Sequence, residues 1–362
     1  MDFRLTRDQT ALRDGVRELL AKRFGRERLR AVLDGAPPGE VWDALADAGL
    51  FALRRPPAHG GLGLGPAEAV LAFEELGRAL VPGPLVATEL AAVHGALPGS
   101  ESGAGPCAGP GTGPGDGSGP LPGPAGLLRL PSPADRPGPL LVERLPELSV
   151  LLLLDAEAGE VRTLDPARLV PTARQVRPVD PLTPLWELTV PLPHGEPLPG
   201  ADPERLWTEG TLLTAAFQVG LAARAVEAAV AHARQREQFG RPIGAFQAVQ
   251  HLCADMLARL EPARAAVRAA ALSAPSGLPD GPLDPVEVAG AKLLADEAAV
   301  RGGRDCLQVH GGMGFTWESD VHLLLKRAWL LERLFAGSAE CAETAATGLV
   351  SGGAETYVGH LS

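Results

Sequence analysis

The 362-residue chain lacks the raw material for several common kinds of protein. Its four cysteines, Cys107, Cys253, Cys306 and Cys341, stand far apart with no CxxC pair, so neither a disulfide framework nor a zinc knuckle is expected. No metal site is expected, and a reducing cytoplasm is the expected setting. Positive charge is in deficit: 33 Lys and Arg against 44 Asp and Glu give a net charge of −11. That argues against nucleic acid or an anionic membrane as the main partner, because such surfaces are met by a basic face. Long apolar runs are missing too. The longest aliphatic burst, SVLLLLD from Ser149, falls well short of the ~20 residues a membrane helix needs and suits a buried strand. The opening MDFRLTRDQ mixes charges from the start and shows no apolar core of a secretory leader.

Glycine (44) and proline (35) are abundant, and much of both sits in GALPGSESGAGPCAGPGTGPGDGSGPLPGPAG. So many breakers and so little apolar surface predict an irregular or disordered segment over 97–126. Before it, residues 1–96 read as an α-helical domain. Thr6 and Gln9 have capping-box spacing, and Leu12, Val16, Leu19 and Leu20 then recur at helical intervals. After it, residues 127–204 hold short apolar or alternating runs broken by Pro, Asp and Gly, the pattern of a small β domain. Helical periodicity returns over 205–350 in about four long stretches, which pack as a four-helix bundle; 351–362 form a tail. The predicted fold class is α+β: an N-terminal helical domain, a reduced middle β domain and a C-terminal four-helix bundle.

Motifs then coincide in order. HGGLGLG begins at His59 and FEELGRAL at Phe73; RQREQFGRPIGAFQAVQHLCADM begins at Arg234 and QVHGGMGF at Gln308. Together they resemble the acyl-CoA dehydrogenase family of flavoproteins, whose architecture has this same order. The resemblance covers both helical portions; across the middle it rests on order and length, supported by DPLTPLWELTVPLPHGEPLPG. It implies that QVHGG ends a bundle helix at a subunit contact and meets the ADP portion of FAD bound by the neighbouring subunit. Gly311 and Gly312 would let the backbone approach the cofactor, and Gln308 can donate and accept there. Arg236 would face the diphosphate, a setting suited to a permanently charged fork of donors. Gln238 belongs to the same motif, and Phe239 would form an apolar wall. Read singly, Arg236 also fits a surface charge, Phe239 a core residue and Gly311–Gly312 a helix stop. His310 has no second histidine at metal spacing and reads as a structural imidazole.

The resemblance implies removal of a proton α to a thioester carbonyl while the β hydrogen leaves as hydride to the flavin, which needs a carboxylate base in a dry pocket. In many members that base is a glutamate in a YEG-like turn after the last long bundle helix. Here the stretch is LFAGSAEC, so Ala336 occupies the base position, while Gly337 and Ser338 match the cofactor-contacting turn. Glu332 and Glu340 lie near in sequence but read as solvated charges. Other members carry the base on the first bundle helix, a position that falls on Gly210, with Glu209 one residue earlier. One residue turns a helix by ~100°, so Glu209 reaches the site only from an irregular helix start. Otherwise it is an ordinary acid near a helix N-terminus. The family's YxxTEPxAGSD-like motif, which contacts the flavin ring, has no counterpart.

The resemblance implies an FAD-dependent oxidoreductase that desaturates an acyl thioester at the α,β positions. One alternative is a catalytically incomplete partner subunit that completes the FAD site of an α2β2 heterotetramer with a second acyl-CoA dehydrogenase-like chain. Another is a repurposed, non-redox member of the fold. The partners implied are acyl-CoA or another acyl thioester, and a homodimer, homotetramer or α2β2 assembly. Steroid side chains, fatty acyl groups and carrier-protein-bound acyl chains all fit as the acyl part.

Overall fold

The computed structural model of the chain describes residues 4–97, 123–131, 139–188, 191–273 and 281–358, with only the backbone described over 351–358. Five helices come first: α1 (Arg7–Arg23), α2 (Arg26–Leu33), α3 (Gly39–Asp47), α4 (Pro66–Arg78) and α5 (Leu85–Val93). Seven strands follow: β1 (Ala125–Arg129), β2 (Leu140–Glu143), β3 (Val150–Asp155), β4 (Glu160–Leu164), β5 (Arg174–Val176), β6 (Leu185–Leu188) and β7 (Glu196–Pro197). Then come α6 (Pro203–Gln235), a hairpin of β8 (Glu237–Gln238) and β9 (Arg241–Pro242), α7 (Gln247–Ala270), α8 (Pro285–His310), α9 (Val321–Leu331) and α10 (Ser338–Val358). Most of the Gly/Pro-rich segment, Cys107 included, lies outside the described residues. Its last two residues, Ala125 and Gly126, open β1.

The described elements form two compact units, one of residues 1–25, 66–81 and 207–362, the other of residues 26–65 and 82–206. In the second unit, β1, β3, β4 and β7 make one sheet and β2, β6 and β5 another. Strand β3 runs parallel to β1 and antiparallel to β4. Val150 to Leu154 are all buried, which is why SVLLLLD is continuously apolar rather than alternating. Leu128, Val142, Leu151, Leu153, Leu164 and Leu188 join in one core drawn from both sheets. Thr88 on α5 fastens that helix to β1 by accepting from the Ala125 N–H at 2.9 Å.

The first unit explains FEELGRAL as a structural hub. Glu74 accepts from Arg264 and Arg268 of α7 at 2.8 and 3.0 Å. Glu75 takes a bidentate pair from Arg17 of α1, and Arg78 gives one to Glu227 of α6. Both Glu74 and Glu75 are buried, so loss of an arginine would strand a charge away from water. Between them, α4 and α6 cross with their backbones in contact. A Cβ at Gly77 would lie 1.9 Å from the Phe217 carbonyl oxygen, and one at Gly220 would lie 1.9 Å from that of Glu74. At the start of the unit, the Thr6 hydroxyl accepts from the Gln9 N–H and the Gln9 side chain from the Thr6 N–H, both at 3.1 Å, the capping box expected from the spacing.

Helix α6, at 33 residues, is long and apolar enough to cross a membrane by length and composition, although 72% of its apolar window is buried inside the protein. Its scattered alanines and interposed polar residues hide that length from a search for aliphatic bursts.

The helix crossing sets a stability test. Gly220→Ala should lower unfolding free energy by about 1–3 kcal/mol, because the new methyl has to push a main chain aside. Gly290→Ala on α8, where a Cβ meets nothing within 4 Å, should be neutral or stabilising by up to ~1 kcal/mol. Urea denaturation of the two variants checks both signs.

Candidate functional site

Helix α6 ends where Arg236 begins the hairpin. The Arg236 N–H donates to the His232 carbonyl, and the Ile243 N–H donates to the Arg236 carbonyl, each at 2.8 Å. Phe239 and Gly240 form the two-residue turn, at φ +55° and +77°, as a tight hairpin between right-twisting strands requires. Glycine adopts that conformation freely; a phenylalanine there costs ~1–2 kcal/mol. The ring it carries is 92% exposed, touching Phe246 edge-on at 6.1 Å between centroids. Phe239 is therefore not a core residue of this chain. Arg236 and Gln238 are exposed beside it, the Gln238 amide donating only to the neighbouring Glu237 carbonyl at 2.7 Å.

Helix α8 stops at Gly311, whose N–H donates to the Gln308 carbonyl and whose φ of 60° and ψ of −145° lie close to a region open essentially to glycine alone. Gly312 is different. Its φ is ordinary, and a Cβ there would meet nothing within 4 Å. Neither backbone conformation nor packing within this chain requires a glycine at Gly312, and its main chain is exposed. Gly314, by contrast, is buried, with the Leu307 and His310 side chains 3.1 Å from where a Cβ would stand, so it serves packing. Gln308, Gly311 and Gly312 are all exposed.

A ring stack brings the two motifs together. His232, one turn before Arg236, lies against His310, the residue before Gly311, with centroids 4.2 Å apart and planes 24° from parallel. The His310 Nδ1 is 2.8 Å from the Cys306 carbonyl; a carbonyl only accepts, so that nitrogen carries the proton. Burial first, then His310 and Arg236, hold the His232 imidazole below its ordinary range. His310 is structural, as its sequence context suggests. Its partner His232 escapes sequence reasoning, because the two are far apart along the chain and leave no spacing signal.

The base positions lie elsewhere in the same unit. Phe335, at φ +56°, packs its ring against Trp207 at 5.3 Å and over Gly210, where a Cβ would come within 2.0 Å of it. Ala336 is 7% exposed and belongs to an apolar cluster with Ala289, Cys341, Trp207 and Leu293. Glu209 is 2% exposed on a helix regular from Pro203 onward, so the irregular start that would swing it round is absent. Nor is it an exposed first-turn acid; that place belongs to Glu204. The Ser338 hydroxyl donates to Asp296 at 3.3 Å. Glu340 is exposed, as expected of a solvated charge, and accepts from the Trp207 indole at 3.0 Å.

Residues 6–101 match the description of the acyl-CoA dehydrogenase N-terminal domain, and residues 206–345 that of the acyl-CoA dehydrogenase C-terminal domain. Over 329 residues the chain is 34% identical to acyl-CoA dehydrogenase IpdE2 of Mycobacterium tuberculosis, covering 89% of this chain and 91% of that one. The chain belongs to the acyl-CoA dehydrogenase family. It is 33% identical over 309 residues to acyl-CoA dehydrogenase FadE34 of the same organism, covering 82% of this chain but spanning only 40% of FadE34. Among solved structures, the ChsE4-ChsE5 complex from M. tuberculosis has the same fold, with TM-score 0.72 at 24% identity over 97% of this chain and 99% of that one. Glutaryl-CoA dehydrogenase from Mycobacterium smegmatis gives TM-score 0.74 at 20% identity, covering 96% and 95%. This acyl-CoA dehydrogenase is thus an oxidoreductase of a flavoprotein family with helical N- and C-terminal parts around a small β region.

Burial of His232, with His310 and Arg236 beside it, makes the chain pH-sensitive with a definite sign. Unfolded, His232 titrates near 6.5; folded, it titrates lower. Below ~6.5 the unfolded chain binds the extra proton first, so stability present at higher pH is lost as pH falls and levels off below the folded value. His232→Phe retains a stacking ring without the titration and should flatten the fall of melting temperature between pH 7.5 and about 5.5; an unchanged slope would remove His232 as its cause.

Proposed function

We propose that this acyl-CoA dehydrogenase works as one chain of a heteromeric enzyme, completing an FAD site for a partner subunit that supplies the catalytic carboxylate. One contrast carries the reading. Both positions where relatives place the base are disabled here, one a methyl in an apolar cluster and the other a glycine beneath the Phe335 ring, while the exposed face of Arg236, Gln308, Gly311 and Gly312 is complete. The solved ChsE4-ChsE5 complex, which shares the fold, supports pairing between different chains as a workable arrangement.

The residues of that face suit an adenine dinucleotide. The Arg236 guanidinium offers a forked, permanent charge to diphosphate oxygens. The bare main chain at Gly311 and Gly312 lets a cofactor approach without side chains in the way; the Gly311 N–H itself is given to the Gln308 carbonyl. Gln308 can donate or accept beside them, and the strained, exposed Phe239 gives an apolar surface for the cofactor or the subunit carrying it. FAD, when bound, supplies the acceptor for the hydride leaving the acyl chain. This chain's contribution to the desaturation is binding and orientation; proton abstraction falls to the partner, and Glu209 takes no part in it.

Absorbance spectra test this. The chain purified alone should carry little flavin, and co-expression with a second acyl-CoA dehydrogenase-like chain should give a yellow, active assembly. In that assembly Arg236→Ala removes a charged hydrogen bond of about 1.5–3 kcal/mol and should weaken flavin binding roughly 10- to 100-fold. Glu209→Gln should leave kcat within about twofold, whereas loss of a true base costs ~10²–10⁴. A collapse of that size, or full activity of the chain by itself, would contradict the proposal.

A further inference from the structure

An ion pair on α8 is sealed from water on both sides. Lys292 is 0% exposed and Asp296 4% exposed, one turn apart on α8. Burying two charges costs several kcal/mol per ion, and apolar residues of the same volume often pack as well. What the pair grips indicates why it is there. The Lys292 ammonium donates to the Asp296 carboxylate at 2.7 Å and to the Leu331 carbonyl at 3.2 Å. The same carboxylate accepts from the Gln218 amide of α6 and, at 3.3 Å, from the Ser338 hydroxyl. Leu331 is the last residue of α9 and Ser338 the first of α10, so the pair holds both ends of the turn between those helices.

The middle of the turn is held as well. The Ala336 N–H donates to the Thr211 hydroxyl at 3.4 Å, and the Ala336 carbonyl accepts from the Cys341 thiol at 3.6 Å. That thiol stays protonated, since burial pushes it up to about 11. At the centre Phe335 sits at φ +56°, a conformation a non-glycine residue keeps only where its surroundings over-determine it. Burial also pushes the Asp296 carboxyl up, with Lys292 and Gln218 pulling it back, so Lys292 and Gln218 both favour the charged carboxylate.

We propose that Lys292 and Asp296 are positioning residues, a buried clamp that fixes the 332–338 turn in the shape presented to the flavin. The clamp stands on the contacts just given; its use toward the flavin rests on the function proposed above. The turn carries a methyl rather than a carboxylate at position 336, which assigns the clamp to cofactor placement rather than to proton transfer.

The test uses the double variant Lys292→Met/Asp296→Leu, which removes both charges at similar volume, and Ser338→Ala, which removes one contact from a half-buried position. In the full chain, amide hydrogen exchange over 332–338 should quicken about tenfold or more in the double variant and measurably in Ser338→Ala, with the rest of α8 unchanged. In the co-expressed assembly, both should shift or broaden the flavin absorbance band and weaken flavin retention. Exchange no faster than in the parent chain overturns the clamp. Faster exchange with an unchanged flavin spectrum reduces the pair to a stability element and overturns the positioning role. Should the double variant fail to fold, Ser338→Ala decides both points in the same way. A parent assembly that binds no flavin sinks the proposed function instead, while the exchange result still decides the clamp.

Discussion

The stack of His232 on His310 is the contact on which the exposed face depends. It ties the last turn of α6 to the last residue of α8, and so draws a fork of cationic donors and a stretch of bare main chain to one place. Neither element would make an anion site by itself, since an exposed arginine is ordinary and a glycine helix stop is common. Their convergence is what gives each a use. It also explains the cost accepted at Phe239, where a strained backbone holds an apolar ring in the open.

A second constraint sets the opposite character of the other site. Around Trp207, Phe335 and Ala336 the packing is dry and full, and the helix at Gly210 has no room for even a methyl group. A carboxylate acting as a base needs space for its own side chain and for the carbon it deprotonates, and neither exists at Gly210. On the reading proposed above, one chain combines an exposed surface suited to a cofactor with a base position packed shut, a division that fits a heteromer in which the two functions are needed once each per site.

Much of this is legible in the sequence. The capping box at Thr6, the buried strand in SVLLLLD and the helical return after Pro203 follow from periodicity and local chemistry. The paired Gly311–Gly312 stands out from the residues alone; Gly311 ends α8 at positive φ, and Gly314 serves packing. What stays hidden requires three dimensions. FEELGRAL carries the family likeness, yet its Glu74, Glu75 and Arg78 are hub contacts to three separate helices. His232 gains meaning only beside His310. Glu209 cannot be placed by counting, because a helix start is the least certain boundary to read and one residue moves a side chain to another face. The Lys292–Asp296 pair has i, i+4 spacing like any surface pair, and only burial separates it from one.

The most direct test is a crystal structure of the assembled protein with FAD. The account predicts diphosphate oxygens from the neighbouring subunit's cofactor within hydrogen-bond distance of the Arg236 guanidinium, with the cofactor lying against the bare main chain of Gly311 and Gly312. A cofactor seated elsewhere, with Gly312 facing bulk solvent in the assembly, would contradict it.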